Sequence, residues 1–492
     1  MAEAKIEITK KKQTEFSEWY IEVITKIKLL DYYAVSGCYI MLPFSYEMWE
    51  NIQGFLDSRF KKLGVKNVYF PLLIPETYLN KESSHIAGFT PEVIWVSKNK
   101  DDVDDKNEVR LCVRPTSESA IYPTFAKEIK SHNDLSLMWN QWCNVMRNEF
   151  TCATPFIRSK EFLWQEGHCC YRNLEGAHNN IKDILKLYKQ MYEEFLGVPV
   201  IVGKKIESEK FAGADETFSI ETFIPDANKF IQCATAHNLG KNFSKMFDIR
   251  FQLEDGSTDN VVQTSWGLTT RSIGTAIMTH GDNNGLILSP SFAPIQIVIV
   301  PITYTKDPDV NKQIQELAQQ TYVYLSKQFR VKLDNSDRRP GWKYYHWESK
   351  GVCLRIEIGP KDIINSKFMI CDRLTGSKTS IDQSDLTHDY VNNLFGLTKD
   401  KMLTDAKNRL VDLTVQVTDC NDIAPTHNQK KMIFAGLCES KECDEHIRAT
   451  YQMKPICRPI DVNTLNVIDV AELNKCIVCK NEGKCCYLGR TF

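Results

Sequence analysis

The chain has 492 residues, of which 42% are hydrophobic and 25% are charged, a composition that excludes a disordered or fibrous protein. Its formal net charge of −2 excludes a globally basic protein, so a nucleic-acid partner has to be met by a local patch. There is no apolar run of about 18 residues and no signal-peptide pattern, so we expect a soluble, cytoplasmic protein with no membrane contact.

The first part of the chain predicts helices that alternate with strands. Apolar residues recur at helical spacing over 14–30, and a second amphipathic helix is expected over 176–196. The segment GVKNVYFPLLIP, residues 64–75, predicts a buried strand that is ended by prolines. Further strands are expected in ETFSIETF and DNVVQTSWG.

A new pattern begins at the β-branched run APIQIVIVPI, residues 293–302. Strands and helices then alternate, which predicts a separate α/β domain, followed by a polar helical linker and a cysteine-rich tail. We therefore expect an α/β and α+β multidomain protein with domains at 1–293, 294–400 and 401–492.

The stretch RPTSES places a hydroxyl beside a carboxylate. Thr116 and Glu118 face the same way on a strand or strand-to-helix turn, where they could receive an ammonium group. The alternative is a helix N-terminus capped by Thr or Ser with a following Glu, and both interpretations can hold together.

The block from 142 to 168 predicts a strand, a polar loop and a second strand. Arg147 and Glu149 share one face of the first strand, and Arg158 lies on the loop. Two converging arginines suit a polyphosphate, because guanidinium groups pair with phosphate in a bidentate manner. The alternative for each arginine alone is a surface salt bridge.

The second of these strands contains FLWQEGHCCYR, residues 162–172. Adjacent His and Cys residues are poor joint metal ligands, because successive side chains on a strand point to opposite faces. The same alternation puts Trp164, Glu166 and His168 on one face. This row suits either the floor of a polar pocket or a half-buried strand with incidental polar residues.

Two later stretches carry further polar groups. IQCATAH presents Gln232, Thr235 and His237 on an expected strand, and SWGLTTRSIG places Gly267 and Arg271 where a strand runs into a helix. Gly267 permits close approach of a ligand. No GxxxxGK[ST] and no credible GxGxxG is present, which excludes a P-loop and a Rossmann site.

The cysteines fall into two groups. Nine of the 17 are spread over the first 400 residues, which argues against a disulfide framework. In the tail, Cys438 and Cys443 form a Cys-x4-Cys pair, and a Cys-x2-Cys pair follows about 30 residues later at Cys476 and Cys479. Two such pairs predict a structural tetrahedral zinc site, for which Cys457, Cys485 and Cys486 are competing ligands.

Together these segments resemble the class II aminoacyl-tRNA synthetases. YFPLLIP is similar to their motif 1, with Pro71 at a dimer interface; RNEF with its loop is similar to motif 2, and GLTTR to motif 3. The segments RPTSES, NQWCNVMRNEF, FLWQEGH, KFAGADET, KNFSKMF and SWGLTTR narrow the resemblance to the prolyl-tRNA synthetases of the eukaryotic and archaeal type. The resemblance implies an antiparallel-sheet catalytic domain, an α/β anticodon-binding domain and a small C-terminal zinc-binding domain.

The resemblance also implies roles for individual residues. Arg147 would hold the α-phosphate and the proline carboxylate, while Thr116 and Glu118 would receive the imino group of L-proline. Other residues would surround the proline ring: Trp164, His168, Phe211, His237 and Ser265. For ATP the implied contacts are Arg147, Glu149, Arg158, Gln232, Thr235 and Arg271, with Arg147 and Arg271 as catalytic residues and Mg²⁺ as the metal that accompanies the phosphates.

The implied partners are tRNA(Pro) and a second copy of the chain. RRPGWKYYHWESKG, residues 338–351, mixes basic and aromatic groups that suit unstacked anticodon bases, with a structural hairpin as the alternative. The family pattern favours Cys438, Cys443, Cys476 and Cys479 as the zinc ligands. Only about 100 residues separate Glu166 from Gly267, so we expect no editing domain there. Two other functions stay open: a synthetase-derived binding protein without activity, and a zinc-bearing RNA-binding protein.

Overall fold

We analysed a computed structural model of the chain, which describes residues 7–83, 93–96, 110–148, 153–303 and 307–492. Glu149 lies outside the described residues. Within them, no helix combines the length and the apolar character needed to cross a membrane.

The first region of the chain carries seven of the described helices, α1–α7: Phe16–Lys26, Pro43–Lys62, Glu76–Ser83, Glu118–Glu128, Leu174–Gln190, Asn242–Met246 and Arg271–His280. Its described strands are β1–β14: Leu30–Tyr32, Tyr39–Met41, Lys66–Asn67, Leu73–Pro75, Ile94–Val96, Leu111–Val113, Leu137–Met146, Glu161–Tyr171, Ile201–Lys204, Glu216–Ile224, Lys229–Gly240, Arg250–Gln252, Thr258–Asn260 and Val262–Thr269.

The second region holds strands β15–β19: Ile297–Pro301, Val331–Leu333, Leu354–Ile358, Lys367–Asp372 and Lys378–Asp382. Its helices are α8–α11: Pro308–Leu325, Pro340–Ser349, Pro360–Asn365 and His388–Leu413. The third region holds β20–β23 at Thr414–Gln416, Met432–Leu437, Lys454–Pro459 and Lys484–Gly489, with α12 at Ile423–Asn428 and α13 at Lys441–Tyr451.

The main sheet of the first region is antiparallel. The order β9-β10-β11-β14-β8-β7 runs through antiparallel pairs, and β3 is added in parallel at one edge. Amphipathic helices cover it; α1 buries Trp19, Tyr20, Val23 and Ile24, as the helical spacing of its apolar residues predicted. The antiparallel sheet that the family resemblance implied is therefore confirmed.

The second region forms its own sheet in the order β16-β15-β17-β18-β19. Strand β15 pairs in parallel with both β16 and β17, because helices α8 and α9 provide the crossovers between them. This arrangement confirms the α/β domain that the run after residue 293 predicted. Within 338–351, residues Pro340–Ser349 form helix α9, so the alternative of a structural hairpin is wrong.

The segment 64–75 differs from its prediction. It contains two short strands, β3 and β4, and much of it faces solvent: Tyr69 is 75% exposed and Leu73 is 42% exposed. The apolar run predicts a buried strand, but hydrophobicity alone does not say which surface covers a residue.

The third region continues the main sheet. Strand β22 pairs antiparallel with β9 through Arg458–Lys204 and Pro459–Gly203, so that β20-β21-β23-β22 extends the catalytic sheet to eleven strands among the described residues. The cysteine-rich tail is thus joined edge to edge to the catalytic sheet by backbone hydrogen bonds.

Candidate active site

Strand register gathers the polar residues of the main sheet into rows. His168 of β8 lies opposite Ser265 of β14, which lies opposite His237 of β11. The neighbouring row on the same face contains Glu166, Gly267 and Thr235. Alternation along each strand turns both rows to one side of the sheet, where they meet a single cavity.

This cavity has a volume of about 360 Å³ and collects most of the residues that the sequence singled out. Its lining includes Thr116, Glu118, Arg147, Trp164, His168, Phe211, Gln232, Thr235, His237, Ser265 and Arg271. Glu166 also lines it, so the row Trp164, Glu166 and His168 forms pocket floor rather than an incidentally polar strand.

Glu118 begins helix α4 beside the cavity. Its side chain is buried and accepts a hydrogen bond from the Thr116 hydroxyl. Ser117, at the N-cap position, makes no side-chain capping bond to the helix, and its hydroxyl instead donates to Glu166. The helix N-terminus expected in this stretch is therefore present, but Ser117 does not cap it with its side chain, and Thr116 and Glu118 line the cavity.

Glu166 and His168 form a buried pair in the cavity floor. Nε2 of His168 lies 3.2 Å from the Glu166 carboxylate, while Nδ1 lies 3.1 Å from the Tyr122 hydroxyl. Gln141 Nε2 donates to Glu166 at 2.9 Å. Burial opposes the charge of Glu166, but the hydrogen bond and charge of His168, together with the hydrogen bonds from Ser117 and Gln141, outweigh it and lower the carboxyl pKa. Burial likewise opposes the imidazolium, yet Glu166 and Glu118 raise the pKa of His168.

Phe211 and His237 form the opposite wall. Their rings lie 4.8 Å apart between centroids. The backbone N–H of Phe211 donates to Thr217 Oγ1 at 3.0 Å, and the same oxygen lies 3.0 Å from His237 Nδ1. Burial, aided by the nearby His168, lowers the pKa of His237 to about 3, so its ring is neutral near pH 7.

Two arginines are held at the cavity by backbone carbonyls. Arg147 Nε donates to Pro115 O at 3.0 Å, and its guanidinium lies 5.5 Å from the ring centre of Trp164. Arg271 donates from Nε to Ile157 O at 3.0 Å and from Nη1 to Gln232 O at 2.9 Å. These bonds fix each planar donor group at the cavity, where a guanidinium can pair with an anion.

Arg158 lines an adjoining cavity of about 170 Å³ and not the larger one. The two cavities share Gln232 and Arg271, and the smaller one is also lined by Lys205, Glu221, Lys454 and Phe492. Its cationic lining suits phosphate groups that extend from the larger cavity.

Several lining residues were missed by the sequence reasoning. Thr217, Glu209, Phe162 and Trp266 all border the larger cavity. Phe162 belongs to FLWQEGHCCYR, and Thr217 is the last residue of KFAGADET, so both could have been found from their neighbours. Glu209 carried no local signal, because its partner Arg448 lies in a distant part of the chain.

The four expected zinc ligands converge. One ligand atom from each of Cys438, Cys443, Cys476 and Cys479 lies within 4.8 Å of the others, and Cys438 Sγ and Cys479 Sγ are 3.9 Å apart. A tetrahedral zinc with bonds of about 2.3 Å needs sulfur atoms about 3.8 Å apart, so this cluster fits the metal. The competitors Cys457, Cys485 and Cys486 do not join the cluster; Cys485 Sγ, for example, donates to Ile468 O at 2.8 Å.

Comparisons with known proteins agree with this arrangement. Residues 100–280 match the family model described as the tRNA synthetase class II core domain (G, H, P, S and T), and residues 296–392 match the anticodon binding domain. The chain is 43% identical over 458 residues to the cytoplasmic proline–tRNA ligase of Arabidopsis thaliana, a match that covers 92% of this chain and 85% of the relative.

The chain is also similar to solved structures of prolyl-tRNA synthetases. A prolyl-tRNA synthetase from Cryptosporidium parvum complexed with halofuginone and AMPPNP matches with a TM-score of 0.92 and 41% identity. The structure from that organism complexed with L-proline and AMP matches with a TM-score of 0.89 and 40% identity. Each match covers 99% of this chain and 100% of the other.

Proposed function

Since the chain belongs to the class II prolyl-tRNA synthetases, we propose that its larger cavity is where L-proline and ATP react. The enzyme activates proline to prolyl-adenylate, releases pyrophosphate and transfers the prolyl group to the 3′ end of tRNA(Pro). The observation that carries the site assignment is the joint lining of one cavity by the carboxylate of Glu118 and the guanidinium groups of Arg147 and Arg271. Such a site can bind a cationic imino group and anionic phosphates side by side.

In the proposed amino-acid site, Thr116 and Glu118 receive the imino group of proline. Trp164, His168, Phe211, His237 and Ser265 surround its ring. The ring-lined walls reject larger amino acids by steric clash, whereas smaller ones are rejected only weakly, by about 1–3 kcal/mol per missing methylene. Alanine and cysteine are therefore expected to be activated at a low rate.

In the proposed nucleotide site, Arg147 binds the α-phosphate together with the proline carboxylate. Arg158 and Arg271 bind the outer phosphates, and Gln232, Thr235 and Glu149 contact the nucleotide. The attack of a carboxylate on the α-phosphate needs alignment and charge neutralisation and no nucleophile from the protein. Arg147 and Arg271 are the catalytic residues in this scheme, because they neutralise the charge that develops during transfer.

Mg²⁺ fits beside these arginines. Gln232 and Glu221 offer oxygen ligands at the smaller cavity, and Oε2 of Glu221 is buried with no hydrogen-bond partner among the described residues. Carboxylate and amide oxygens are ligands that Mg²⁺ accepts, and the bound metal would neutralise phosphate charge.

The second region is proposed to bind the anticodon of tRNA(Pro). Helix α9 carries Trp342, whose ring lies 5.1 Å from the exposed Arg338 guanidinium and stacks on His346. Aromatic and guanidinium faces stack on unpaired bases, which supports a contact of this helix with the anticodon loop.

We propose that Cys438, Cys443, Cys476 and Cys479 hold a structural zinc. All four positions are taken by cysteines, and four cysteines are a donor set of closed structural zinc sites. The domain limits 1–293, 294–400 and 401–492, a cytoplasmic location like that in the name of the plant relative, and the absence of editing in cis are further parts of the proposal. Hydrolysis of alanyl-tRNA(Pro) by the purified chain would contradict the last part.

A homodimer is also proposed, through the segment that resembles motif 1. Pro71 and Tyr69 are exposed, and the small sheet of β4, β6 and β5 presents Leu73, Trp95 and Val96 to solvent. An exposed apolar surface of this kind favours association with a second copy.

Proline-dependent exchange between ATP and pyrophosphate tests the catalytic part of the proposal. The wild-type chain is expected to catalyse it, and Arg147→Ala is expected to abolish it because the α-phosphate loses its guanidinium partner. Arg250→Ala is the matched control, since Arg250 is an exposed arginine that pairs with Asp248 away from the cavity. The absence of proline-dependent exchange in the wild type would contradict the proposal.

A further inference from the structure

The C-terminal region forms hydrogen bonds with the loop that carries Phe211. This loop follows β9 and contains a turn, Glu207–Glu209, just before Phe211. Oε1 of Glu209 accepts a hydrogen bond from Arg448 Nη2 at 2.6 Å, and Oε2 accepts one from Lys454 Nζ at 2.7 Å. These residues lie 239 and 245 positions further along the chain. Glu209 also lines the larger cavity together with Phe211.

The two donors are themselves firmly placed. Arg448 lies on α13, where its Nε contacts both carboxylate oxygens of Asp444 at 3.0 Å. Lys454 begins β22, the strand that joins the main sheet. The Glu209 side chain is only 12% exposed, so its ion pairs are largely shielded from water.

A second contact fixes the start of the same turn. The backbone N–H of Glu207 lies 3.4 Å from the carboxylate of Glu439, which also pairs with Arg458 at 2.9 Å. Burial alone would raise the pKa of Glu209, but the bonds from Lys454 and Arg448 outweigh it and lower the pKa. Glu209 is therefore a charged acceptor held by two charged donors.

A hydrogen bond to strand β10 of the main sheet also holds this loop. The N–H of Phe211 donates to Thr217 Oγ1, and one residue, Lys210, separates Phe211 from Glu209. Over so short a length, a shift of the Glu209 anchor of about 1 Å has to be absorbed by Phe211, because the intervening backbone has few rotatable bonds. The ring of Phe211 in turn packs against His237 in the cavity wall.

From these contacts we propose that Glu209 is a positioning residue for proline recognition, through which Arg448 and Lys454 of the C-terminal region hold the Phe211 wall in place. This inference rests on the proposed function, which assigns the Phe211 wall to the proline ring. It makes the C-terminal region a part of amino-acid binding, although none of its charged groups needs to touch the amino acid.

Arg448→Met is the variant that tests the proposal, because Arg448 lines neither cavity, whereas Lys454 lines the smaller one. In ATP–pyrophosphate exchange, KM for proline is expected to rise about tenfold, the effect of losing one charge-assisted hydrogen bond, while KM for ATP and kcat change less than about twofold. Arg409→Met is the matched control: Arg409 pairs with Asp226 at 3.1 Å, also links two distant segments, and should leave both KM values unchanged.

Glu209→Gln is the second variant, and its effect on KM for proline should not multiply with that of Arg448→Met, because Arg448 acts through Glu209 in the proposal. Hydrogen exchange of the segment 207–214, measured without substrates, should accelerate in both variants and not in the control. Hydrogen exchange does not depend on catalytic activity. It therefore distinguishes a failure of the proposed positioning role of Glu209 from a failure of the proposed function. The proposal would be overturned by equal rises in KM for proline and KM for ATP, or by independent effects of the two substitutions on KM for proline. Unchanged hydrogen exchange in the segment 207–214 would also overturn it.

Discussion

Thr217 lies directly opposite His237 on the neighbouring strand, and its hydroxyl oxygen is 3.0 Å from Nδ1 of that ring. The same oxygen accepts a hydrogen bond from the backbone N–H of Phe211 at 3.0 Å. Burial lowers the pKa of His237 to about 3, so the ring is neutral near pH 7. One hydroxyl thus links the His237 ring to the backbone of Phe211.

Thr217→Val tests this relationship with little change of shape. Valine cannot bond either partner, so we expect KM for proline to rise about tenfold, in line with the loss of one to two buried hydrogen bonds. Thr217→Ser should retain most of the wild-type value. Equal KM values for the valine and serine variants would show that the hydroxyl has no such role.

Arg147→Lys should impair catalysis although it keeps the positive charge. Lysine lacks the planar fork that Pro115 O orients and that can pair with two oxygens. We expect the rate of ATP–pyrophosphate exchange to fall by about two orders of magnitude. The matched substitution Arg250→Lys, at an exposed site, should leave the rate unchanged. A comparable loss in both variants would remove Arg147 from the catalytic scheme.

Substitution of the cysteine cluster should release zinc. Metal analysis of Cys438→Ser and Cys476→Ser is expected to find less than one zinc per chain, since serine is a poor replacement for a thiolate ligand. Cys485→Ser is the control, because Cys485 lies in the same region but outside the cluster and donates to Ile468 O. Unchanged zinc content in Cys438→Ser and Cys476→Ser would refute the ligand assignment.

The His168–Glu166 pair predicts a pH dependence of stability. Because the pKa of His168 is raised in the folded protein, its protonation stabilises the fold. This stabilisation is fully present at pH values below the ordinary imidazole pKa of 6.5 and is lost as pH rises through the raised pKa. Because the pKa of Glu166 is lowered in the folded protein, its ionisation stabilises the fold. This stabilisation is present at pH values above the ordinary carboxyl pKa of 4.5 and is lost as pH falls through the lowered pKa. The pair therefore stabilises the protein most between these two ordinary values.

Thermal unfolding across pH 5 to 9 measures this effect. The difference in melting temperature between the wild type and His168→Gln should be largest near the acidic end of this range and should shrink towards pH 9. His446→Gln, at an exposed histidine on α13, serves as the control. A difference that grows with pH would contradict the assigned direction.

The exposed motif 1 surface predicts self-association. Sedimentation of the wild type should give the mass of a dimer, and Tyr69→Glu combined with Leu73→Glu should give that of a monomer, because charges are costly to bury in an interface. Leu397→Glu places a charge at another exposed leucine, on α11, and should leave the dimer intact. A monomeric wild type would contradict the proposed assembly.

Much of the site could be predicted because its residues lie in short segments with strong local chemistry. Alternation along one strand placed Trp164, Glu166 and His168 on a shared face, and the structure has all three at the cavity. The spacing of the cysteine pairs predicted a zinc site, and the family resemblance favoured Cys438, Cys443, Cys476 and Cys479, whose sulfur atoms converge. Such patterns depend only on the geometry of a strand or a turn.

Other features could not be predicted because they depend on distant partners. The exposure of Tyr69 contradicted the buried strand expected there, since an apolar residue does not reveal what covers it. The position of Arg158 in the smaller cavity, beside Arg271, likewise depends on contacts between segments that are distant along the chain.

The sequence by itself determined the types of chemical group, their order along the chain and the family to which they belong. Only the tertiary structure decided that β22 adds to β9, that Thr217 faces His237 and that Glu209 meets Arg448. The physical reason is that strand register and ion pairs between remote segments are set by the packing of the whole sheet. No local sequence pattern predicts a contact between a glutamate and an arginine that lie 239 positions apart.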